Sequence, residues 1–206
     1  ADYLDELQLE SSEDAEVRQL MSRWESKVIF TFTGNVGEAQ DFPSVLEGLK
    51  KCCRLKDIVF LVIGDGRYKT ELIKSIQSEE LDNTVFCLGQ YPMQYMPLFY
   101  YYSDYLVVPL NDTAIFAYTL PGKVQSYMSS GKPIIGMVNG ETARVIDEAG
   151  CGYAVASGDH DGFAGILDLC CSLDSTDRHK LGSLGKSYAY ENFRLEPLVD
   201  KAVENF

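Results

Sequence analysis

One segment of the chain combines residue types that suit the binding of an anion. Pro121 and Gly131 bracket a stretch with helical spacing, and these residue types favour the first turn and the end of a helix. The pattern predicts a helix from about Pro121 to Ser130, with Gly122 and Lys123 in its first turn. A lysine there opposes the helix dipole unless a negative ligand reverses the local charge. We interpret Lys123 as a phosphate contact; the alternative is an ordinary solvated lysine.

A glycine-containing loop near residue 34 is also suited to binding an anion. Gly34, Asn35, Gly37 and Gln40 follow an apolar run and lead directly into a predicted helix. Glycines allow close backbone approach, and a helix start offers free N–H donors, so the loop is a candidate diphosphate cradle. The loop lacks the G-x-G-x-x-G pattern. The second strand also does not end in an acidic residue that could bind a ribose hydroxyl. Both points disfavour a nicotinamide dehydrogenase. The alternative is a tight turn that needs glycine.

Two further loops offer ligand contacts. Gly64 begins a sharp turn that carries Asp65 and Arg67, and Arg67 is free to face either solvent or a phosphate. After the third apolar run, Leu88 offers backbone groups and Tyr91 a flat ring to a nucleobase, with simple packing as the alternative for Tyr91.

Other polar residues give weaker signals. Glu141 follows Asn139-Gly140 in the first turn of a predicted helix, where an acid is favourable with or without a ligand. We include Glu141 among the candidate binding residues. His160 and His179 lie apart from the glycine loops, and neither has the setting of a catalytic base.

The elements that must position these loops alternate along the chain. The expected strands are Val28–Thr33, Ile58–Ile63, Thr84–Leu88, Tyr105–Val108, Pro133–Met137 and Tyr153–Ala156. Helices are expected between them at Phe42–Cys53, Tyr68–Ser78, Gln94–Tyr102, Pro121–Ser130 and Thr142–Ala149, and then at Asp161–Cys171, Asp177–Asn192 and Leu195–Glu204. This order predicts an α/β fold, a Rossmann-like doubly wound parallel sheet of about six strands, with its ligand beyond the carboxyl ends of the strands.

Domain boundaries follow from the same pattern. Residues 1–27 are acidic and free of strand-like runs, which indicates a linker followed by an entry helix that Ser11-Ser12 would cap. Residues 28–193 form the expected Rossmann-like domain, and residues 194–206 a C-terminal helix.

Composition limits the function classes. The 206 residues carry a net charge of −13, which disfavours nucleic acid and anionic lipid as partners, although a local nest of N–H groups can still hold a phosphate. No apolar run reaches the roughly 18 residues of a membrane span, and the acidic N-terminus is unlike a signal peptide, so we expect a cytoplasmic protein. The six cysteines lack C-x-x-C spacing, which predicts reduced thiols and no metal site.

In this order and spacing the motifs are similar to those of a known family. The chain resembles the C-terminal half of family 4 glycosyltransferases of the GT-B fold, in the branch that makes bacterial O-antigen and capsule and includes amino-sugar transferases. The resemblance covers about residues 28 to 193. It rests on the segments Gly34–Gln40, Val62–Gly66, Ser103–Leu110, Leu120–Lys123, Ser130–Ile135 and Ala149–Asp159.

The resemblance implies a function. It implies binding of a nucleotide-diphosphate sugar, usually a uridine one, and metal-independent transfer with retention of configuration, without a further cofactor. The acceptor and any general base would lie on an N-terminal domain of the same polypeptide, and any membrane contact would go through that half. The chain alone is therefore expected to be inactive, and its catalytic residues stay unknown.

The chain also departs from the family's pattern. The family has two glutamates eight positions apart that contact sugar and ribose hydroxyls, and Tyr118 and Ser126 hold those places here. Ser126 could still hydrogen-bond one hydroxyl. The family's Arg/Lys pair after the first strand is also missing, which leaves Lys123 as the candidate that neutralises the leaving diphosphate. Two other interpretations stay open: half of a sugar-nucleotide epimerase, or a non-catalytic nucleotide-binding module.

Overall fold

The structure, a computed structural model, describes residues 11–113 and 118–193. Within these residues six parallel strands form one sheet in the order β3-β2-β1-β4-β5-β6. The strands are β1 (Val28–Thr33), β2 (Ile58–Ile63), β3 (Val85–Gly89), β4 (Tyr105–Pro109), β5 (Ile134–Met137) and β6 (Gly152–Val155). The strand order reverses between β1 and β4, which is the topological switch point where such sheets bind ligands.

Helices cover both faces of the sheet. They are α1 (Ser12–Met21), α2 (Phe42–Lys51), α3 (Lys69–Ser78), α4 (Met96–Tyr102), α5 (Gly122–Ser129), α6 (Gly140–Ala149), α7 (His160–Ser172) and α8 (Ser175–Phe193). Ser11 caps α1 as expected, since its side chain accepts a hydrogen bond from the Asp14 N–H at 3.0 Å. The predicted helix at Leu195–Glu204 lies outside the described residues.

The strands are apolar on both faces because helices bury both sides of a parallel sheet. All six residues of β2 and all five of β4 are buried. On one face Phe30, Phe32 and Phe60 pack with α2 and α7, and on the other Leu61 and Ile63 pack with α1 and α4. This core supports the carboxyl ends of the strands, where the glycine loops lie.

The loop after β1 differs from the expectation in one respect. It does not lead directly into an α-helix, since a 3₁₀ turn (Glu38–Gln40) intervenes and α2 begins at Phe42. Asp41 joins the two in the left-handed conformation, with φ of 33°. The Gly37 N–H therefore belongs to the turn, where it donates to the Gln40 side chain at 3.0 Å, and not to the start of α2.

Candidate functional site

The loops after β1 and β2 are joined to each other by main-chain hydrogen bonds. The Gly34 N–H donates to the Ile63 carbonyl at 2.9 Å, and the Val36 N–H donates to the Asp65 carbonyl at 2.9 Å. Gly64 has φ of +150°, and a side chain there would overlap the Gly34 carbonyl oxygen. Glycine is required at this position because the two loops cross without room for a Cβ atom.

A cavity of about 500 Å³ opens at the carboxyl ends of β1, β2 and β3. Its lining residues come from the two glycine loops and from the segment after β3: Gly34, Asn35, Ile63, Gly64, Asp65, Gln90, Tyr91, Pro92, Met93 and Met96. Four of these, namely Gly34, Asn35, Asp65 and Tyr91, are predicted binding residues. The cavity therefore lies beyond the carboxyl ends of the strands, where the strand–helix order predicts a ligand.

Lys123 lies against the turn after β1. Its Nζ atom is 3.9 Å from the centroid of the Phe32 ring and 3.3 Å from the position that a Cβ atom on Gly34 would take. No carboxylate pairs with this ammonium among residues 11–113 and 118–193. Burial lowers the pKa of Lys123 to about 8, because the charged form loses hydration there. The site thus holds a cation with no counter-anion in the described part of the chain.

The start of α5 adds hydrogen-bond donors next to this cation. Pro121 precedes the helix and provides no side-chain cap, so the first N–H groups of the helix have no intrahelical acceptor. Gly122 is exposed, and a Cβ atom there would have no heavy atom within 4 Å. As predicted, Gly122 and Lys123 occupy the first turn, where N–H groups and a positive dipole end favour an anion.

Two predicted binding residues support the shape of the loop after β1. Gln40 is buried, and its Oε1 accepts the hydrogen bond from Gly37. A Cβ atom on Gly37 would lie 2.8 Å from the side-chain Nδ2 atom of Asn35. Gln40 and Gly37 thus close the turn that presents Asn35 and Gly34 to the cavity.

The other nine predicted residues do not line the cavity: Gly37, Gln40, Arg67, Leu88, Pro121, Gly122, Lys123, Ser126 and Glu141. Arg67 is exposed beside the Gly64 turn, and the Leu88 side chain packs with the α1 and α4 face of the core. The Ser126 Oγ lies 3.4 Å from the Gly122 carbonyl, which it contacts as a donor. Glu141 is in the first turn of α6 as predicted, and its carboxylate pairs with Arg144 at 2.7 Å. The hydrogen bond from Arg144 lowers the pKa of Glu141.

The structure adds residues that the sequence motifs did not reveal. Pro92, Met93 and Met96 form an apolar wall of the cavity, and Met93 is 77% exposed. Tyr91 stands beside them, edge-on to Phe99 with 4.8 Å between the ring centroids. The sequence signal for this wall was the proline after the β3 segment. The contact of Phe32 with Lys123 had no sequence signal, because Phe32 resembles any other strand residue.

A family model described as Glycosyl transferases group 1 matches residues 16–187. The chain belongs to this family. Among curated proteins, none matches the chain.

Solved structures share the fold at low sequence identity. HepE from Anabaena, in complex with UDP and glucose, superposes with a TM-score of 0.76 at 17% identity over 94% of this chain and 51% of its own. A glycosyltransferase from Rickettsia africae gives 0.78 at 18% identity, over 98% of this chain and 53% of its own. The chain thus spans about half the length of these two solved structures.

A third structure shows the same unit alone. The C-terminal domain of LpcC, a glycosyl transferase group 1 family protein from Francisella tularensis, superposes with a TM-score of 0.67 at 18% identity. The match covers 90% of this chain and 95% of that domain. The Rossmann-like architecture expected from the sequence is therefore that of a GT-B half.

Within the described part of the chain, no group of three or more His, Cys, Asp or Glu side chains is arranged to hold a metal ion. No helix in the same residues has the length and apolar character needed to cross a membrane.

Proposed function

We propose that this chain is the donor-binding half of a retaining glycosyltransferase that uses a nucleotide-diphosphate sugar, with UDP as the nucleotide. The observation that carries the proposal is the Lys123 ammonium, held beside Gly34 at the start of α5 and unpaired with any carboxylate of the described residues. Membership of the glycosyl transferases group 1 family supports the reaction class, and the UDP bound by HepE supports the choice of nucleotide.

The proposed binding mode follows from the charged groups and the cavity at the carboxyl ends of the strands. The diphosphate would lie between the N–H groups of the α5 first turn, Lys123 and the Gly34 turn. The nucleobase would enter the cavity between the glycine loops and the apolar wall of Pro92, Met93 and Met96, near the Tyr91 ring. A flat, partly apolar base suits such a cavity because burying its faces removes apolar surface from water.

The same groups would assist the chemical step. When the bond between the sugar C1 and the diphosphate oxygen breaks, negative charge develops on the leaving diphosphate. An ammonium and helix N–H groups fixed in place before the reaction stabilise that charge, and such preorganised donors are worth several kcal/mol each. We assign this role to Lys123 and to the backbone of Gly122.

The finer parts of the proposal rest on the resemblance to the family. We propose that the donor carries a hexose or an N-acetyl-amino sugar, that transfer retains the anomeric configuration, and that no metal or other cofactor is used. The acceptor would be a glycan or a lipid-linked glycan of O-antigen or capsule synthesis in the cytoplasm, bound by a second half of the same polypeptide.

Calorimetric titration of this chain with UDP tests the proposal. We expect saturable binding that Lys123→Ala weakens by about 10- to 100-fold, because a charge-assisted contact to phosphate is lost. Lys74→Ala is the matched control, since Lys74 is exposed on α3 and forms a surface ion pair with Glu71. It removes the same charge and should leave the affinity unchanged.

The proposal fails if the wild-type chain binds no nucleoside diphosphate. It also fails if the two lysine variants bind UDP equally well. The configuration of the product, read by proton NMR from the chain joined to its acceptor-binding half, tests retention separately.

A further inference from the structure

The sheet opens at its switch point. Strand β1 pairs with β2 as far as Thr33 and Ile63, whereas its pairing with β4 ends at Thr31 and Leu106. Along β1 the N–H groups alternate in direction, and the Gly34 N–H points to β2. The Thr33 N–H therefore points to the β4 side, where the ladder has already ended.

A tyrosine hydroxyl takes the place of the missing strand partner. The Tyr127 hydroxyl accepts the Thr33 N–H at 2.8 Å and donates toward the Thr33 carbonyl at 3.4 Å. It also lies 3.1 Å from the Thr33 hydroxyl, which in turn is 3.2 Å from the Tyr100 hydroxyl. Tyr127 is fully buried, and its ring packs edge-on against Tyr100 with centroids 5.4 Å apart.

This contact sits directly behind the proposed diphosphate site. Tyr127 lies on α5 four residues after Lys123, so the two side chains share one face of the helix. Thr33 is the neighbour of Gly34 in sequence, and Lys123 lies over Phe32 on the same strand end. The helix is thus attached to β1 at two points, one deep in the core and one at the edge of the cavity.

We propose that Tyr127 is a positioning residue, whose hydroxyl holds the start of α5 against the Gly34 turn and so fixes where Lys123 meets the ligand. The inference rests on the proposed function for the identity of that ligand. The hydroxyl matters more than the ring, because it alone replaces the strand hydrogen bonds that β4 does not supply. A buried N–H left without an acceptor would draw β1 or α5 out of place.

The test compares two buried tyrosines. Tyr127→Phe keeps the ring and removes the hydroxyl. Tyr105→Phe is its matched control, since Tyr105 is also fully buried and its hydroxyl donates one hydrogen bond, to the Cys170 carbonyl at 3.0 Å. Tyr105 is the first residue of β4 and so lies at the end of the strands opposite the cavity.

We expect Tyr127→Phe to weaken UDP binding by about tenfold, and Tyr105→Phe to change it less than about twofold. Urea denaturation should show both variants folded and similarly destabilised, so that stability alone does not explain the difference. Equal UDP affinity in the two variants would overturn the inference, as would a loss of affinity in both.

A second measurement separates this inference from the proposed function. The pKa of the Lys123 amine can be read from the pH dependence of its reductive methylation, followed by peptide mass spectrometry. We expect the pKa to rise from about 8 toward its ordinary value in Tyr127→Phe, as the ammonium moves into water, and to stay unchanged in Tyr105→Phe. If wild type binds no UDP but the pKa moves as stated, the proposed function fails and the positioning role stands. An unchanged pKa in Tyr127→Phe overturns the positioning role.

Discussion

The Nζ atom of Lys123 lies 3.9 Å from the centroid of the Phe32 ring. The face of the ring attracts the cation and offsets part of its lost hydration. Burial itself lowers the pKa of Lys123 to about 8, because the charged form loses hydration. The protein thus keeps a positive charge in an unfavourable place, and an anion beside the Gly34 turn would relieve that cost.

The pH dependence of ligand binding follows from this shift. A bound diphosphate favours the ammonium and raises the pKa of Lys123 above 8, so the complex holds the proton more tightly than the free chain. We expect UDP affinity to fall by up to about tenfold per pH unit above 8. Calorimetry between about pH 7.5 and 9.5 measures this slope. The slope should be absent in Lys123→Ala, and a wild-type affinity that is flat over this range would contradict the prediction.

The stability of the ligand-free chain should depend on Lys123 in the opposite sense. Its folded pKa of about 8 lies below the ordinary lysine value of 10.5, so the unfolded chain binds the proton more tightly. Folding stability from this group is therefore lowest below pH 8 and rises between the two values. We expect Lys123→Met to raise the free energy of unfolding at neutral pH by up to roughly 3 kcal/mol and to reduce the rise above pH 8.

Urea denaturation at two pH values checks this expectation. Lys74→Met serves as the control because Lys74 is exposed, and it should change the free energy of unfolding little at either pH. A Lys123→Met chain that is less stable than wild type at neutral pH would count against a desolvated ammonium.

The crossing of the two glycine loops makes a separate prediction. Gly64→Ala would force a side chain into the Gly34 carbonyl at φ of +150°, so we expect a loss of about 3 kcal/mol or more in unfolding free energy. Gly165→Ala is the contrasting variant, since Gly165 is exposed in the middle of α7 with no heavy atom within 4 Å of an added Cβ. It should gain about 0.5–1 kcal/mol from helix propensity. Equal stabilities in thermal or urea denaturation would contradict the close crossing.

Much of the fold was predictable because its signals are local. The continuous apolar run Ile58–Ile63 predicts a strand covered on both faces, and the structure has that strand with the same bounds. Pro121 and Gly131 bracket α5 because proline suits a helix start and glycine suits the left-handed residue after its end, where Gly131 has φ of +69°. The position of Lys123 in the first turn followed from these two residues alone.

The contacts of the site were not predictable because they join distant residues. Lys123 and Phe32 are about 90 positions apart, and nothing in either neighbourhood indicates that they meet. Tyr127 resembles any core residue of a helix, so its hydrogen bond to the end of β1 is visible only in three dimensions. The 3₁₀ turn at Glu38–Gln40 was missed for another reason: Asp41 takes a left-handed conformation that glycine or asparagine would have signalled better.

The main-chain bonds between the loops after β1, β2 and β3 have a consequence for specificity. Besides the bonds already described, the Gly64 N–H donates to the Gly89 carbonyl at 2.7 Å, and the Tyr68 N–H donates to the Val36 carbonyl at 3.0 Å. Amides and carbonyls are the same whatever side chain a residue carries, so this rim depends little on side chains except at glycines such as Gly64, where a Cβ atom has no room. Under the proposed function, discrimination between one nucleobase and another would then fall to the side chains that line the cavity, including those of Gln90, Tyr91 and Met93.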